Sequence, residues 1–157
     1  GEIGVGKSSL VRRLVLDRFE IDYKPTIGVD VYRYEVPAAP GRPAIGLIIW
    51  DTDGNFGEAI FRHVYMKEAA AALIVGDATR IETLDSMGVL GAGFRDTFPG
   101  RHLAYVVNKH DLVGEALPAL PEPLTRPGTT LTRTSALTGH NVQAAFHQAA
   151  ATIARRS

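Results

Sequence analysis

The sequence predicts an α/β fold in which a mostly parallel central sheet is flanked by helices. Three observations support this prediction. Short, almost wholly apolar runs alternate with segments of helical periodicity, each apolar run ends in polar residues, and no linker or repeat divides the 157 residues. In parallel sheets, ligands bind beyond the carboxyl ends of the strands. We therefore expect a single domain, residues 1–157, with its site where those polar residues meet.

The composition is that of a neutral domain with a substantial core. Hydrophobic residues make up 45% of the chain, and 17 basic residues balance 17 acidic ones. This balance argues against a nucleic-acid-binding module, which would carry a basic face. The chain has no cysteine, which excludes disulfides, thiolate metal sites and lipidated cysteines within this span and favours a cytoplasmic location. No apolar run reaches the ~18 residues of a membrane anchor.

The first eight residues read GEIGVGKS, which is the P-loop pattern G-x-x-x-x-G-K-S. Its glycines let successive backbone N–H groups turn toward a phosphate chain, Lys7 can reach the β- and γ-phosphates, and the Ser8 hydroxyl can bind Mg²⁺. A helix is predicted from residue 7 to about residue 17, with its positive end toward the phosphates. A glycine-rich turn before a surface helix is the competing interpretation of this motif alone.

A strand normally delivers the chain to a P-loop, but here the sequence starts at the first glycine of the loop. That strand is usually central in its sheet, and its loss would cost more than a marginally stable domain can lose. We therefore expect a short apolar segment to precede Gly1 in the intact polypeptide. An intact mass equal to that of these 157 residues would contradict this expectation.

The remaining elements are predicted from their periodicity and their turn residues. Strands are expected at residues 29–36, 44–50, 70–76, 103–107 and 130–134, and all but the first and last are expected to be buried. Helices are expected at residues 58–67, within 81–98 with interruptions at its glycines, and along an apolar stripe over 142–153. The segments 19–28, 37–43 and the proline-rich 117–128 are expected to be loops or turns.

Polar motifs follow three of the predicted strands. Asp51-Thr52-Asp53-Gly54 follows the second strand, Asn108-Lys109-His110-Asp111 follows the fourth, and Ser135-Ala136 follows the last. The Asp111 carboxylate can accept two hydrogen bonds from the N1–H and amino groups of guanine, whereas adenine offers no such pair of donors. The sequence therefore predicts a guanine-nucleotide site and argues against a P-loop ATPase.

In this order the motifs resemble those of Ras-like small GTPases, over essentially the whole chain. The likeness is closest to the Rab group: residues 23–30 (YKPTIGVD) resemble a Rab switch I, residues 49–52 (IWDT) the entry to switch II, and residues 134–146 the guanine loop and last helix. Abundant alanine, arginine and proline suggest a GC-rich genome, and so a bacterial Rab-like protein.

The resemblance implies a P-loop NTPase fold, the Ras-like G domain, and a GTP-dependent molecular switch. Such a protein binds GTP or GDP with Mg²⁺, hydrolyses GTP, and changes switch I (about 19–30) and switch II (about 51–66) to control partner binding. It also implies effector, exchange-factor or activating proteins as partners. Val31, Trp50 and Tyr65 occupy the positions of an effector-facing patch, and ordinary strand and helix packing is an equally good interpretation of them.

Site roles are carried over by the resemblance onto matching positions. Ser8, Thr26 and Asp51 are the implied Mg²⁺ set, and Lys7, Thr26, Gly54 and Asn55 are the implied catalytic set. The implied nucleotide-binding residues are Glu2, Ile3, Gly4, Val5, Gly6, Lys7, Ser8, Ser9, Phe19, Thr26, Gly54, Asn108, Lys109, Asp111, Ser135, Ala136 and Leu137.

Three departures from the family pattern bear on hydrolysis. Asn55 replaces the glutamine that orients the attacking water, Ile3 replaces a small P-loop residue, and Asp53 replaces an alanine. A misplaced group can cost on the order of 10²-fold in rate, so we predict slow intrinsic hydrolysis with nucleotide binding intact. Leu137 replaces a lysine near the base and would loosen binding slightly. The alternative is a nucleotide-bound interaction module with negligible turnover.

Overall fold

A computed structural model describes residues 1–17, 29–52, 54–62, 64–116 and 119–156. The strands are β1 (Val29–Val36), β2 (Ile45–Thr52), β3 (Ala71–Asp77), β4 (His102–Asn108) and β5 (Thr130–Arg133). The α-helices are α1 (Lys7–Leu16), α2 (Ile81–Thr97), α3 (Glu122–Thr125) and α4 (Val142–Arg156). Short 3₁₀ segments cover Gly54–Arg62, Val64–Glu68 and His110–Leu112. The predicted α/β class is confirmed.

The strands form two sheets. Strands β3, β4 and β5 form a parallel sheet with β4 in the middle, and β1 pairs antiparallel with β2. Register places Asp77, at the end of β3, beside Asn108, at the end of β4. The carboxyl ends of these parallel strands therefore meet at one edge, as the sequence predicts.

A cavity of about 260 Å³ lies between the two sheets. Its walls are mostly apolar and come from both sheets and from the helices that cover them. They include Leu47 and Ile49 of β2, Leu73 and Val75 of β3, and Phe146 of α4. Gly1 and Lys7 also line it, so the cavity runs up to the start of the P-loop.

Two buried clusters form the core. In one, Leu84, Met87 and Phe94 of α2 pack with Tyr105 of β4. In the other, residues of α1 and α4, including Leu10, pack with β3 and β4. The helices thus cover both faces of the parallel sheet, which is the arrangement that buried parallel strands require.

Three sequence predictions about elements are wrong. The apolar run 44–50 belongs to β2, but that strand is only half-buried, and Ile48 is 62% exposed because one face of β2 is turned away from the core. Residues 58–62 and 64–67 form 3₁₀ segments instead of one continuous helix, and Gly57 (φ 50°) breaks the first segment. Helix α2 continues through its glycines, of which Gly88 and Gly91 face packed neighbours.

The proline-rich segment 117–128 also differs from the prediction. A single helical turn, α3, forms there, and its N-terminal proline, Pro123, suits the first turn of a helix because it has no N–H to satisfy. Arg126 donates two hydrogen bonds, of 2.7 Å each, to the Glu122 carboxylate at the exposed end of this turn.

Candidate functional site

The P-loop has the geometry of a phosphate cradle. Gly4 (φ 81°) and Gly6 (φ 99°) adopt left-handed conformations that favour glycine. The Lys7 ammonium donates to the carbonyls of Gly1 (2.6 Å) and Glu2 (2.9 Å). Helix α1 begins directly at Lys7, and no side chain caps its N-terminus. The first N–H groups of that helix, including those of Ser8 and Ser9, can therefore bind an anion.

Ser8 and Asp51 meet beneath the loop. The Ser8 hydroxyl donates a 2.5 Å hydrogen bond to a carboxylate oxygen of Asp51, and both residues are buried. Hydroxyl and carboxylate oxygens are the hard ligands that Mg²⁺ prefers, so this pair suits the implied ion. The third implied ligand, Thr26, lies outside the described residues.

Gly54 packs against the backbone of the P-loop. A Cβ at Gly54 would lie 2.6 Å from the Ile3 nitrogen and 2.8 Å from the Glu2 carbonyl carbon. Only glycine can therefore bring switch II this close to the loop. The Ile3 side chain itself is 48% exposed beside this contact.

Asn108 joins the loops expected to recognise the base to the P-loop. Its Nδ2 donates to the Val5 carbonyl at 3.1 Å, and its Oδ1 accepts from the Thr134 hydroxyl (3.1 Å) and the Ala136 N–H (3.3 Å). Asn108, Thr134 and Ala136 are all buried. A Cβ on Gly6 would collide with the Asn108 amide. Three segments far apart in sequence are thus fixed by one side chain.

The base motif, by which we mean residues 108–111, has other side chains that are also held in place. The Ser135 hydroxyl donates to the Asp111 carboxylate at 2.8 Å, which orients it. Lys109 has a left-handed backbone (φ 64°), and its ammonium donates to the Gly4 carbonyl at 2.9 Å. Leu137, the next residue after Ala136, is 50% exposed. The sequence-predicted residues on both sides of the site therefore come together.

Sequence reasoning missed Asp77. Its carboxylate forms a 2.9 Å ion pair with the Lys109 ammonium and accepts from the Thr79 N–H (2.8 Å) and hydroxyl (2.6 Å). Burial alone would raise the pKa of Asp77, but the hydrogen bonds from Thr79 and Lys109 outweigh it and hold the pKa below its ordinary value. One sequence feature could have identified Asp77: it directly follows the predicted strand 70–76, just as Asn108 directly follows the predicted strand 103–107.

Several predicted site residues lie outside the described part of the chain. These are Phe19, Thr26 and Asp53, together with most of switch I and the side chains of Asn55 and Tyr65. Val31 and Trp50 are cross-strand partners in the β1–β2 sheet, and Val31 is 60% exposed. In the described parts of the chain, every helix is too short or too polar to cross a bilayer.

Comparison with known proteins identifies the family of the chain. The family model described as "Ras family" matches residues 1–155. The chain is 32% identical to the Ras-related protein YPT3 of Nicotiana plumbaginifolia, over 99% of this chain and 72% of the relative. It is 33% identical to Ras-related protein Rab-4B of Rattus norvegicus, over 98% of this chain and 73% of the relative.

A third relative matches a smaller part of the chain. Ras-related protein Rab-32A of Dictyostelium discoideum is 37% identical over 55% of this chain, and the match spans only 39% of that relative. All three relatives carry Ras-related names, and two are Rab proteins, so the resemblance inferred from the motifs is confirmed. By its sequence, from the P-loop to the last helix, the chain belongs to the Ras family.

Proposed function

We propose that the protein is a GTP-dependent molecular switch, that is, a GTPase that binds GTP and GDP with Mg²⁺ and hydrolyses GTP slowly. The observation that carries this proposal is the link between the two recognition regions: Asn108 and Lys109 hydrogen-bond the P-loop carbonyls of Val5 and Gly4. These two hydrogen bonds support the proposal because they hold the loop proposed to select guanine against the loop proposed to hold the phosphates.

On the phosphate side, the chain would hold the nucleotide mainly through its backbone. The amides of residues 4–8 and the positive end of α1 would bind the phosphate oxygens. Lys7 would exchange its present carbonyl partners, Gly1 and Glu2, for the β- and γ-phosphates. The Gly54 amide, already packed on the loop, would contact the γ-phosphate and so report whether it is present.

On the base side, Asp111 would accept hydrogen bonds from guanine, with Ser135 holding its carboxylate in place. The Ala136 amide would face the guanine carbonyl, and the stem of Lys109 would lie along the ring. Phe19, outside the described residues, is proposed to cover the edge of the base. This arrangement would disfavour adenine, which cannot donate to Asp111 in the same way.

Ser8 and Asp51, with Thr26, would hold Mg²⁺, which neutralises phosphate charge when bound. Asn55 would then have to position the attacking water with a side chain one methylene shorter than that of glutamine. Ile3 would take up space at the same end of the site, and Asp53 would add a negative charge there. These three residues are the basis for the slow rate that we propose. The lifetime of the GTP form would be long unless a partner accelerates hydrolysis.

The partners that we propose are effector, exchange-factor and activating proteins that contact the two switches. Exposed Val31 and its cross-strand neighbour Trp50 support a contact patch on the β1–β2 sheet. Tyr65 is included in the proposed patch on the basis of its sequence position. A cytoplasmic location, inferred from the absence of cysteine, is also part of the proposal.

A second candidate is an interaction module in which GTP or GDP is a structural ligand with negligible turnover. The exposed Ile3 side chain favours it, because a branched residue at the rim occupies space needed by attacking water. The intact pair of Ser8 and Asp51 favours the switch, because a structural ligand alone does not require a γ-phosphate-linked metal site.

Single-turnover hydrolysis of bound GTP distinguishes the two candidates. Wild type should be slow, and Asn55→Gln and Ile3→Gly should each hydrolyse GTP faster, on the order of tenfold or more, because each restores geometry or space for the water. Gln148→Asn, a similar amide change on α4, should leave the rate unchanged. Tight GTP binding without turnover in any variant would establish the interaction module, and failure to bind GTP would refute both.

A further inference from the structure

Arg80 lies beside the P-loop, although its sequence position gave no reason to expect this. The residue follows β3 and immediately precedes α2. Its backbone is fixed at both ends: its N–H donates to the Asp77 carbonyl at 3.0 Å, and its own carbonyl accepts from the Thr83 N–H (3.0 Å) and hydroxyl (2.7 Å). The side chain therefore starts from a rigid point.

The guanidinium contacts the outer rim of the P-loop. Its Nη1 donates to the Ile3 carbonyl at 3.0 Å, and the same nitrogen would lie 3.2 Å from a Cβ on Gly4. Its Nε is held by the Glu82 carboxylate at 3.2 Å. Arginine has five N–H donors in a planar fork, and among the described residues these contacts engage Nη1 and Nε. The side chain is 39% exposed.

Arg80 contacts the P-loop at the residue next to those contacted by the segment from Asn108 to Asp111. Asn108 and Lys109, of the base motif, contact the carbonyls of Val5 and Gly4. Gly54, the proposed sensor of the γ-phosphate, packs on Ile3. Asn108 and Lys109 thus contact Val5 and Gly4, whereas Arg80 and Gly54 share the next residue along the loop, Ile3.

We propose that Arg80 is a positioning residue for the triphosphate end of the nucleotide. It holds the rim formed by Ile3 and Gly4 in shape and adds a positive charge there, so that the chain retains GTP in preference to GDP. The inference rests on the proposed function. It goes beyond it by assigning selection of the nucleotide state to a residue outside the P-loop, the switches and the base motif.

The test compares release of fluorescent GTP and GDP from wild type, Arg80→Ala and Arg80→Lys. Arg126→Ala is the matched control, because Arg126 is also an exposed arginine paired with a glutamate two to four residues away, but on α3. Loss of a charge-assisted hydrogen bond predicts about tenfold faster release of GTP from Arg80→Ala. GDP release should change much less, because the charge acts mainly on the γ-phosphate.

Two further readouts separate this role from a purely structural one. Arg80→Lys should restore most of the preference for GTP, because it keeps the charge, and added guanidinium ion should slow GTP release from Arg80→Ala. Equal acceleration of GTP and GDP release would overturn the proposal, as would values matching those of Arg126→Ala. If wild type binds no GTP, the proposed function fails together with this inference, whereas normal GTP binding that is insensitive to Arg80 refutes the inference alone.

Discussion

Asp77 shows how a residue that no nucleotide group needs to touch can still shape the site. Its carboxylate is fully buried, holds the Lys109 ammonium at 2.9 Å, and so fixes the side chain that reaches the Gly4 carbonyl. An unpaired ammonium at this position would lose both its charge partner and its direction. The geometry of the base motif therefore depends on the turn after the neighbouring strand.

Asp77→Asn should lower the free energy of unfolding by about 1–3 kcal/mol, because charge-assisted hydrogen bonds to Lys109 and Thr79 are weakened. Chemical denaturation measures this value, and the exposed Asp85→Asn on α2 is the control. Nucleotide release should also become faster in Asp77→Asn. An unfolding free energy equal to that of the control would contradict the role assigned to Asp77.

The same residue predicts a pH dependence. The folded-state pKa of Asp77 is lowered by its hydrogen bonds despite burial, so the unfolded chain binds its proton at higher pH than the folded chain. The stabilisation is complete above the ordinary pKa of 3.8 and is lost as pH falls through the lower folded value. When the free energy of unfolding is measured from pH 5 down to about pH 2, it should therefore fall less steeply with decreasing pH in Asp77→Asn than in wild type.

At this scale, motifs predict best the residues that lie together in one short segment. The P-loop and the segment from Asn108 to Asp111 are contiguous, so their residues could be proposed from the motifs and the family resemblance. Asp77 and Arg80 could not be assigned in that way. Their partners, Lys109 and Ile3, are distant in sequence and become neighbours only after the sheet forms.

Among the elements, α2 shows best why local patterns can mislead. Its glycines predicted interruptions, but the helix is continuous from Ile81 to Thr97. Gly91 lies against the ring of Tyr105, and a Cβ there would lie 2.8 Å from the ring carbon Cζ and would collide with the hydroxyl. The glycine is a site of close packing between α2 and β4. The sequence pattern of a helix does not indicate which strand will pack against it.

Gly91→Ala should therefore destabilise the protein by about 1–3 kcal/mol, because Tyr105 is fully buried and must move to admit the methyl group. Gly88→Ala in the same helix is the matched control. Its nearest neighbour is the Pro123 ring at 3.3 Å, so the strain is smaller and the gain in helix propensity offsets part of it. Thermal unfolding of both variants measures the difference, and equal melting temperatures would refute this packing argument.

Strand β2 was mispredicted for a related reason. An apolar run cannot by itself distinguish a strand covered on both faces from one covered on a single face. In the structure, β2 pairs with β1, and side chains such as Ile48 remain exposed. The positions and types of the strands were predictable from composition and turns, whereas their burial depends on the arrangement of the whole sheet.

At the scale of the molecule, a cavity separates β2 from β3. The cavity is mostly apolar, is lined by both β2 and β3, and reaches Gly1. We propose that a strand added ahead of Gly1 would fit between these two strands and join the sheets. Its side chains would fill space bordered by Leu47, Leu73 and Phe146.

Extending the chain ahead of Gly1 tests this proposal. A short extension rich in valine and isoleucine should raise the melting temperature by at least about 5 °C, because each buried branched side chain contributes about 1.5–3 kcal/mol. An extension of equal length made of glycine, serine and asparagine is the control, since it has little apolar surface to bury. Equal melting temperatures for the two extended proteins would contradict the proposal.

The three hydrogen bonds of Asn108 have a kinetic consequence. One side chain links the P-loop to the two segments proposed to recognise the base, so neither half of the proposed site can open far without straining the other. We expect nucleotide to leave in one concerted step, with phosphates and base released together. A protein that catalyses exchange would then need to pull on only one side of the site, because Asn108 transmits the displacement to the other.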